Sequence, residues 1–380
     1  MIIFIVGILL IFYGLFSKQK YSVWVGILFV LLIMGFQEGV PGDYQGYQYR
    51  FDMGGSDGYS GGSTKVTEFS FIWLSTTLSK IMNFHMFVLL TSICQCLVFA
   101  LIIKKFADKK YQYFGVLLVF FTVNIMMLQM KAMRQGYAVD SLLLAYLLLD
   151  KKKYIWSIIA LIVAYGFHNS SIVAIPFYLI LLITVFIKRE DKKSLIKEQT
   201  VIVKKTKGIT AGIFAVAFLF LFLFFKFFVF SDYINPYLMT LDLFEYSDYL
   251  EEYSQAQDIR WWVLVYYATI VFSLTMYYVN EHDYFKKYTA LLTVVGILLY
   301  LSFFGFGNLM RLSMFFVPFS IFVYPNVAAM LRSSYGKDVA LGYVLFNMIF
   351  LMKFSVEQML STNYESGTGF YSYTFSFLNW

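Results

Sequence analysis

Apolar residues run along this chain in long stretches separated by short polar connections, at residues 2–16, 21–39, 84–103, 112–130, 132–150, 154–168, 170–187, 209–229, 261–279, 289–306, 310–331 and 339–354. Lipid leaves no water to satisfy backbone N–H and C=O groups, so only helices or closed barrels can span it. These stretches are too long for barrel strands. The pattern predicts an all-α polytopic membrane protein with twelve transmembrane helices in a single integral domain over residues 1–380.

The connections fall into two kinds. Residues 40–68 are rich in Gly, Tyr and Asp with no long apolar face, and read as a binding loop or a flexible one. Residues 69–83 are too short and too polar to span, which predicts an interfacial or re-entrant helix. Residues 230–260 interleave seven carboxylates with five tyrosines, a pattern that suits carbohydrate. It equally suits a solvated acidic loop with Tyr at the membrane belt.

The segment 130–176 predicts a helical hairpin. Arg134 lies 17 residues before Lys151, and Lys153 lies 15 before His168. At about 1.5 Å per residue both legs are roughly 23 to 26 Å long, which brings Arg134 and His168 to similar depth with Lys151 to Lys153 opposite.

Composition agrees, with 60% hydrophobic and 14% charged residues, against about 45–50% and about 25% in soluble domains. The net charge of +7 would suggest nucleic acid in a soluble chain, but its distribution speaks for membrane orientation and no nucleic-acid partner is expected. Alternate connections hold 21 of the 30 Lys and Arg: Lys18 and Lys20, the lysines at 104–110, Lys151 to Lys153, the basic loop 188–208, Lys286 and Lys287, and Arg332 with Lys337. These are assigned to the cytoplasm. Both termini and the loops 40–83 and 230–260 then face outward, and residues 2–16 are expected to stay as the first span, lacking signal-peptide features. Cys94 and Cys96 read as packing residues.

No P-loop, GxGxxG, HExxH or GxSxG motif is present, which removes most arguments for an ATPase, a nicotinamide enzyme or a zinc protease. Of three histidines, His282 reads as solvated and His85 as a belt residue, while His168 ends a span in the cluster GFHNSS. Lys80, Lys226, Arg260 and Lys353 read as cations snorkelling to lipid phosphates. Arg134 and Arg311 each open a span from the outer face, where a guanidinium suits an anionic headgroup. Asp140 lies within a span, rotated about 240° from Arg134, so its partner is expected elsewhere in the bundle.

These residues resemble the EpsG-like and Wzy-like polymerases of bacterial surface polysaccharides and exopolysaccharides. The resemblance rests on Arg134-Gln135, the basic turn, Phe167-His168-Asn169-Ser170-Ser171 and Pro176, with support from GDYQGY at 42–47, Glu68 and Arg311. It is clearest over residues 40–180; the Gly- and Ser-rich stretch between Asp52 and Glu68 departs from it.

What the resemblance implies is a GT-C-like membrane glycosyltransferase in the bacterial plasma membrane, joining polyprenyl-diphosphate-linked repeat units at its outer face. A chain-length regulator and a flippase would be further partners, and no cofactor or metal is expected. Arg134 and Arg311 would hold the donor diphosphate, assisted by Gln135, Lys131 and Arg260, with Tyr44, Tyr47 and Asn169 on the substrate. His168, or else Asp43 or Glu68, would take the acceptor hydroxyl's proton; an imidazole with a reference pKa of about 6.5 is matched to that task. Rival readings are a glycan ligase, a single-sugar transferase using polyprenyl monophosphate, a flippase for the same lipid, and a membrane scaffold. A flippase predicts charges through mid-span and a two-fold repeat, and the sequence shows neither.

Overall fold

The computed structural model describes residues 2–16, 19–38, 40, 43–54, 68–123, 125–187, 261–302, 311–360 and 374–375. The basic loop 188–208, the predicted span 209–229 and the acidic loop 230–260 with Arg260 lie outside the described residues. Among those described are fourteen α-helices: α1 (Ile2–Phe16), α2 (Gln19–Gly35), α3 (Tyr44–Asp52), α4 (Phe69–Leu78), α5 (Phe84–Phe106), α6 (Gln112–Phe121), α7 (Met126–Lys131), α8 (Met133–Asp150), α9 (Tyr154–Phe167), α10 (Ile175–Ile187), α11 (Trp261–Asn280), α12 (Tyr284–Ser302), α13 (Ser320–Tyr335) and α14 (Lys337–Leu360). A two-residue strand, β1 (Gln37–Glu38), pairs antiparallel with β2 (Thr374–Phe375), so the tail reaches the same end of the bundle as the residues just before α3.

Among the described residues, five segments are long and apolar enough to cross a membrane: Phe84–Phe106, Trp261–Asn280, Tyr284–Ser302, Arg311–Tyr335 and Lys337–Glu357. Shorter apolar helices accompany them. Helix α8 has the length but not the composition, because it carries Arg134, Gln135 and Asp140. It is buried along most of its faces, so these polar groups meet protein rather than lipid.

Two segments depart from the apolar pattern. Residues 112–130 do not form one helix. The chain breaks after Phe121, and Ser355 in α14 donates to the Phe121 carbonyl at 2.5 Å, so a tertiary contact satisfies an acceptor at the end of α6. Residues 44–52, read as loop, form helix α3 because Tyr44, Tyr47 and Phe51 make a buried aromatic face at helical spacing. The predicted interfacial segment does contain a helix, α4.

The described residues fall into two compact units, Met1–Ile175 with Ser320–Trp380, and Pro176–Phe319. In the first, α8 and α9 form the predicted hairpin. Its turn is a Schellman cap in which Lys153 N–H donates to Leu148 O and Lys152 N–H to Leu149 O, both at 2.9 Å. Lys152 takes the left-handed conformation usual for glycine, with φ 58°. Ser157 Oγ ties the legs together by donating to Ala145 O at 2.9 Å. At this lysine end Lys105 pairs with Asp150 at 3.1 Å, and Asn326 of α13 bonds Phe106 O and Asp108 N. Gly115 of α6 meets the Ile321 carbonyl so closely that a Cβ would sit 2.4 Å from it, which fixes α6 against α13. In the second unit Tyr288 of α12 donates to Phe177 O at 2.8 Å, and Gly296 packs on Phe316.

Candidate functional site

At the hairpin end opposite the lysines, several short elements begin within reach of one another. Helix α7 stops at Ala132, whose backbone (φ −112°, ψ 69°) is not helical, and α8 starts with Arg134 in its first turn. Helix α9 stops at Phe167 because His168 is extended (φ −156°, ψ 117°), and a 3-10 turn, Asn169–Val173, follows. Helix α4 opens at Glu68, whose carbonyl accepts from the N–H groups of Phe71 and Ile72. A carboxylate at a helix N-terminus is favoured by the helix dipole.

Glu68 is the centre of the arrangement. Its Oε2 pairs with Nη1 of Arg134, and its Oε1 lies 2.7 Å from Nδ1 of His168. The backbone N–H of Asn169 donates to the same Oε1 at 3.4 Å. The Glu68 side chain is only 6% exposed, whereas those of Arg134 and His168 are each 24% exposed, so the two partners present surface while the carboxylate between them does not. Burial works to raise the Glu68 pKa; the His168 hydrogen bond, the Arg134 and His168 charges and the Asn169 amide outweigh it and hold the carboxyl below its ordinary value.

The arrangement extends to α3. Arg134 Nε donates to Tyr47 OH at 3.4 Å, and Tyr47 OH donates to Asp43 Oδ2 at 3.3 Å. The guanidinium carbon also lies 5.6 Å from the Tyr47 ring centre, a cation–π distance. Burial pushes the Tyr47 phenol up to about 12, so it stays protonated and serves both as acceptor and donor. Below lies an aromatic floor: the Tyr47 and Phe71 rings are 5.5 Å apart, Phe71 and Tyr137 6.3 Å, and Tyr137 and Phe167 5.5 Å. Gly166 admits α4 to this position, since a Cβ there would lie 2.2 Å from Ser70 Oγ and 2.4 Å from Phe69.

Asp43, Tyr47, Glu68, Arg134, His168 and Asn169 are thus brought together. Others are placed differently. Tyr44 is buried, with its hydroxyl donating to Gln37 O at 2.9 Å, which docks α3 on β1. Gln135 is 1% exposed and Lys131 half-buried at the end of α7. Arg311 is exposed at the start of the 3-10 turn Arg311–Phe315 in the second unit. Arg260 lies outside the described residues. His282 is exposed in its turn. Among the described residues no group of three or more His, Cys, Asp and Glu is arranged to hold a metal.

Sequence reasoning missed the aromatic floor and the central place of Glu68. Tyr137 is three residues beyond Arg134 and Phe71 three beyond Glu68, a helical spacing that puts each beside its charged neighbour. That Glu68 bridges Arg134 and His168 has no such local signal. The bridge also changes the electrostatics: a buried carboxylate lies against the guanidinium at Nη1, while Nε is taken by Tyr47.

In comparison with known proteins, the model of the EpsG family matches residues 20–375. No curated protein and no solved structure matches the chain.

Proposed function

The chain belongs to the EpsG family, and from that premise we propose that it is a polymerase joining polyprenyl-diphosphate-linked oligosaccharide repeat units into a surface polysaccharide. Family membership and apolar helices point to polysaccharide biosynthesis at a membrane by a polymerase-like glycosyl transfer. The finer reading places the reaction at the outer face of the bacterial plasma membrane, in a GT-C-like bundle of twelve spans with both termini outside. A flippase and a chain-length regulator would be its partners.

The observation that supports this reading is the contact of one carboxylate with both a guanidinium and an imidazole. Glu68 Oε1, 2.7 Å from Nδ1 of His168, orients the imidazole, whose other nitrogen Nε2 is the base of this reading. Nε2 takes the proton of an acceptor sugar hydroxyl as its oxygen attacks the anomeric carbon of the donor. The bond from that carbon to the diphosphate oxygen breaks, and the departing diphosphate gains negative charge. Nη2 of Arg134, held in place from below by Glu68 and Tyr47, stabilises that charge where it develops. Lys131 is assigned to the rest of the diphosphate, and Asn169 to the sugar, in a metal-independent transfer. Glu68, paired with the Arg134 guanidinium, acts as an orienting group rather than as the base.

Incubation of the purified protein with a polyprenyl-diphosphate-linked repeat unit tests this. A ladder of products rising by one repeat unit is expected. A single added sugar, a glycan moved once to another acceptor, or no product would overturn the polymerase reading.

A further inference from the structure

A second polar cluster lies in the interior behind Arg134 and takes no part in the proposed transfer. Gln95 of α5 donates through Nε2 to Gln129 Oε1 at 3.0 Å, and Gln129 of α7 donates through Nε2 to Asp140 Oδ1 at 3.0 Å. All three side chains are buried, with residue exposures of 4%, 2% and 7%. Gln129 is also seated against Gly136. A Cβ on Gly136 would lie 2.8 to 3.0 Å from its Cγ, Cα and Cβ, so the absent side chain at Gly136 is what lets Gln129 of α7 lie directly on α8. Gly136 and Asp140 are one helical turn apart on α8 and present the same face to Gln129.

We infer that the Gln95–Gln129–Asp140 chain is a positioning brace for Arg134, fixing the break between α7 and α8 from which the guanidinium projects. Arg134 is the second residue of α8, and non-helical Ala132 separates it from α7. A two-helix junction with a free hinge residue would let the first turn of α8 rotate. Gln129, three residues before the hinge, is pinned to α5 on one side and to α8 on the other. Tyr137 secures the other flank: its hydroxyl donates to Thr91 Oγ1 at 3.0 Å, again on α5. The side chain that chelates the site's carboxylate is therefore aimed by two hydrogen-bonded ties to α5. Buried polar chains fix a unique arrangement at the expense of stability that an apolar core would provide, and a brace is where that exchange is useful.

The role in catalysis rests on the polymerase reading, but the geometry does not, and two readouts separate them. In a background with Cys94→Ser and Cys96→Ser, Arg134→Cys is labelled with a water-soluble thiol reagent, with and without Asp140→Leu. The brace predicts at least a fivefold change in labelling rate on Asp140→Leu and none on Asp140→Asn, which still accepts from Gln129. In the polymerisation assay with Arg134 intact, Asp140→Leu is expected to lower kcat/KM at least tenfold and Asp140→Asn to rescue it. On an Arg134→Lys background Asp140→Leu adds no further loss. Gln129→Met, which keeps length without the amide, must reproduce both effects if Asp140→Leu fails to insert. An unchanged labelling rate in both apolar variants, or a full additive loss on Arg134→Lys, overturns the brace. A labelling change with no polymerase activity in the parent protein upholds it and sinks the polymerase reading alone.

Discussion

Oε1 of Glu68 lies 2.7 Å from Nδ1 of His168, a hundred positions along the chain, while the other oxygen of the same carboxylate holds Arg134. In the proposed reaction this contact orients the imidazole. His168→Ala is expected to slow glycosyl transfer by about 10² to 10⁴, the usual contribution of a positioned base. Glu68→Gln, which keeps an amide oxygen in place of the carboxylate but no longer offsets the guanidinium, is expected to cost about 10 to 100-fold, as loss of an orienting partner does. Initial rates with a lipid-linked repeat unit measure both, and an unaffected His168→Ala would remove the base.

Arg134→Lys keeps a positive charge but loses the planar fork that contacts Glu68 and Tyr47 and, in the proposed reaction, holds a phosphate. It is expected to lower kcat by about 10² to 10³, in the range seen when a group stabilising transition-state charge is removed. Steady-state kinetics check this, with a rise in KM alone contradicting it.

Gly166→Ala is expected to push α4 away, since the added methyl carbon would overlap Ser70 Oγ and Phe69. Overpacking of this kind costs about 1 to 3 kcal/mol. Activity falls with it because Glu68 moves with α4. Ser70→Gly in the same chain should restore part of both thermal stability and rate, and a double variant no better than the single would show that the contact is not the cause.

Glu68 also sets a pH dependence of stability. Its folded pKa is below the ordinary 4.5, so the unfolded chain binds more protons and the carboxylate's contribution is complete above that value. It is lost as pH falls below about 4.5 towards the lower folded value. Glu281, whose pKa is also lowered despite its burial by the Asp283 and His282 amides, the Tyr277 hydroxyl and Lys286, adds a slope of the same sign. Thermal melts of the detergent-solubilised protein should show a shallower acid slope in Glu68→Gln than in the parent; identical slopes would contradict the ion pair.

Much of this site was legible in the sequence, and its limits have physical reasons. The α8–α9 hairpin and the shared depth of Arg134 and His168 follow from helix rise and three lysines, both local quantities. Asp140, rotated away from Arg134, was expected to have a partner elsewhere, and Gln129 is that partner. The helix at Tyr44–Asp52 escaped because its aromatic face is only three residues, set among Gly and Asp that read as loop. The break after Phe121 escaped because the apolar run continues through it, and the acceptor left there is met by Ser355, far along the chain. The bridging place of Glu68 depends on α4 packing at Gly166, a tertiary contact that no periodicity encodes.

The central claim is that Glu68, Arg134 and His168 work as one unit on a lipid-linked oligosaccharide. The direct test is the product ladder formed by purified parent protein, Arg134→Ala, His168→Ala and the double variant, each verified to be folded and inserted. Residues that act together give losses that do not add. The account predicts a full ladder from the parent and equal loss in the two single variants and the double. Long chains made by both single variants, or losses that multiply in the double, would contradict it.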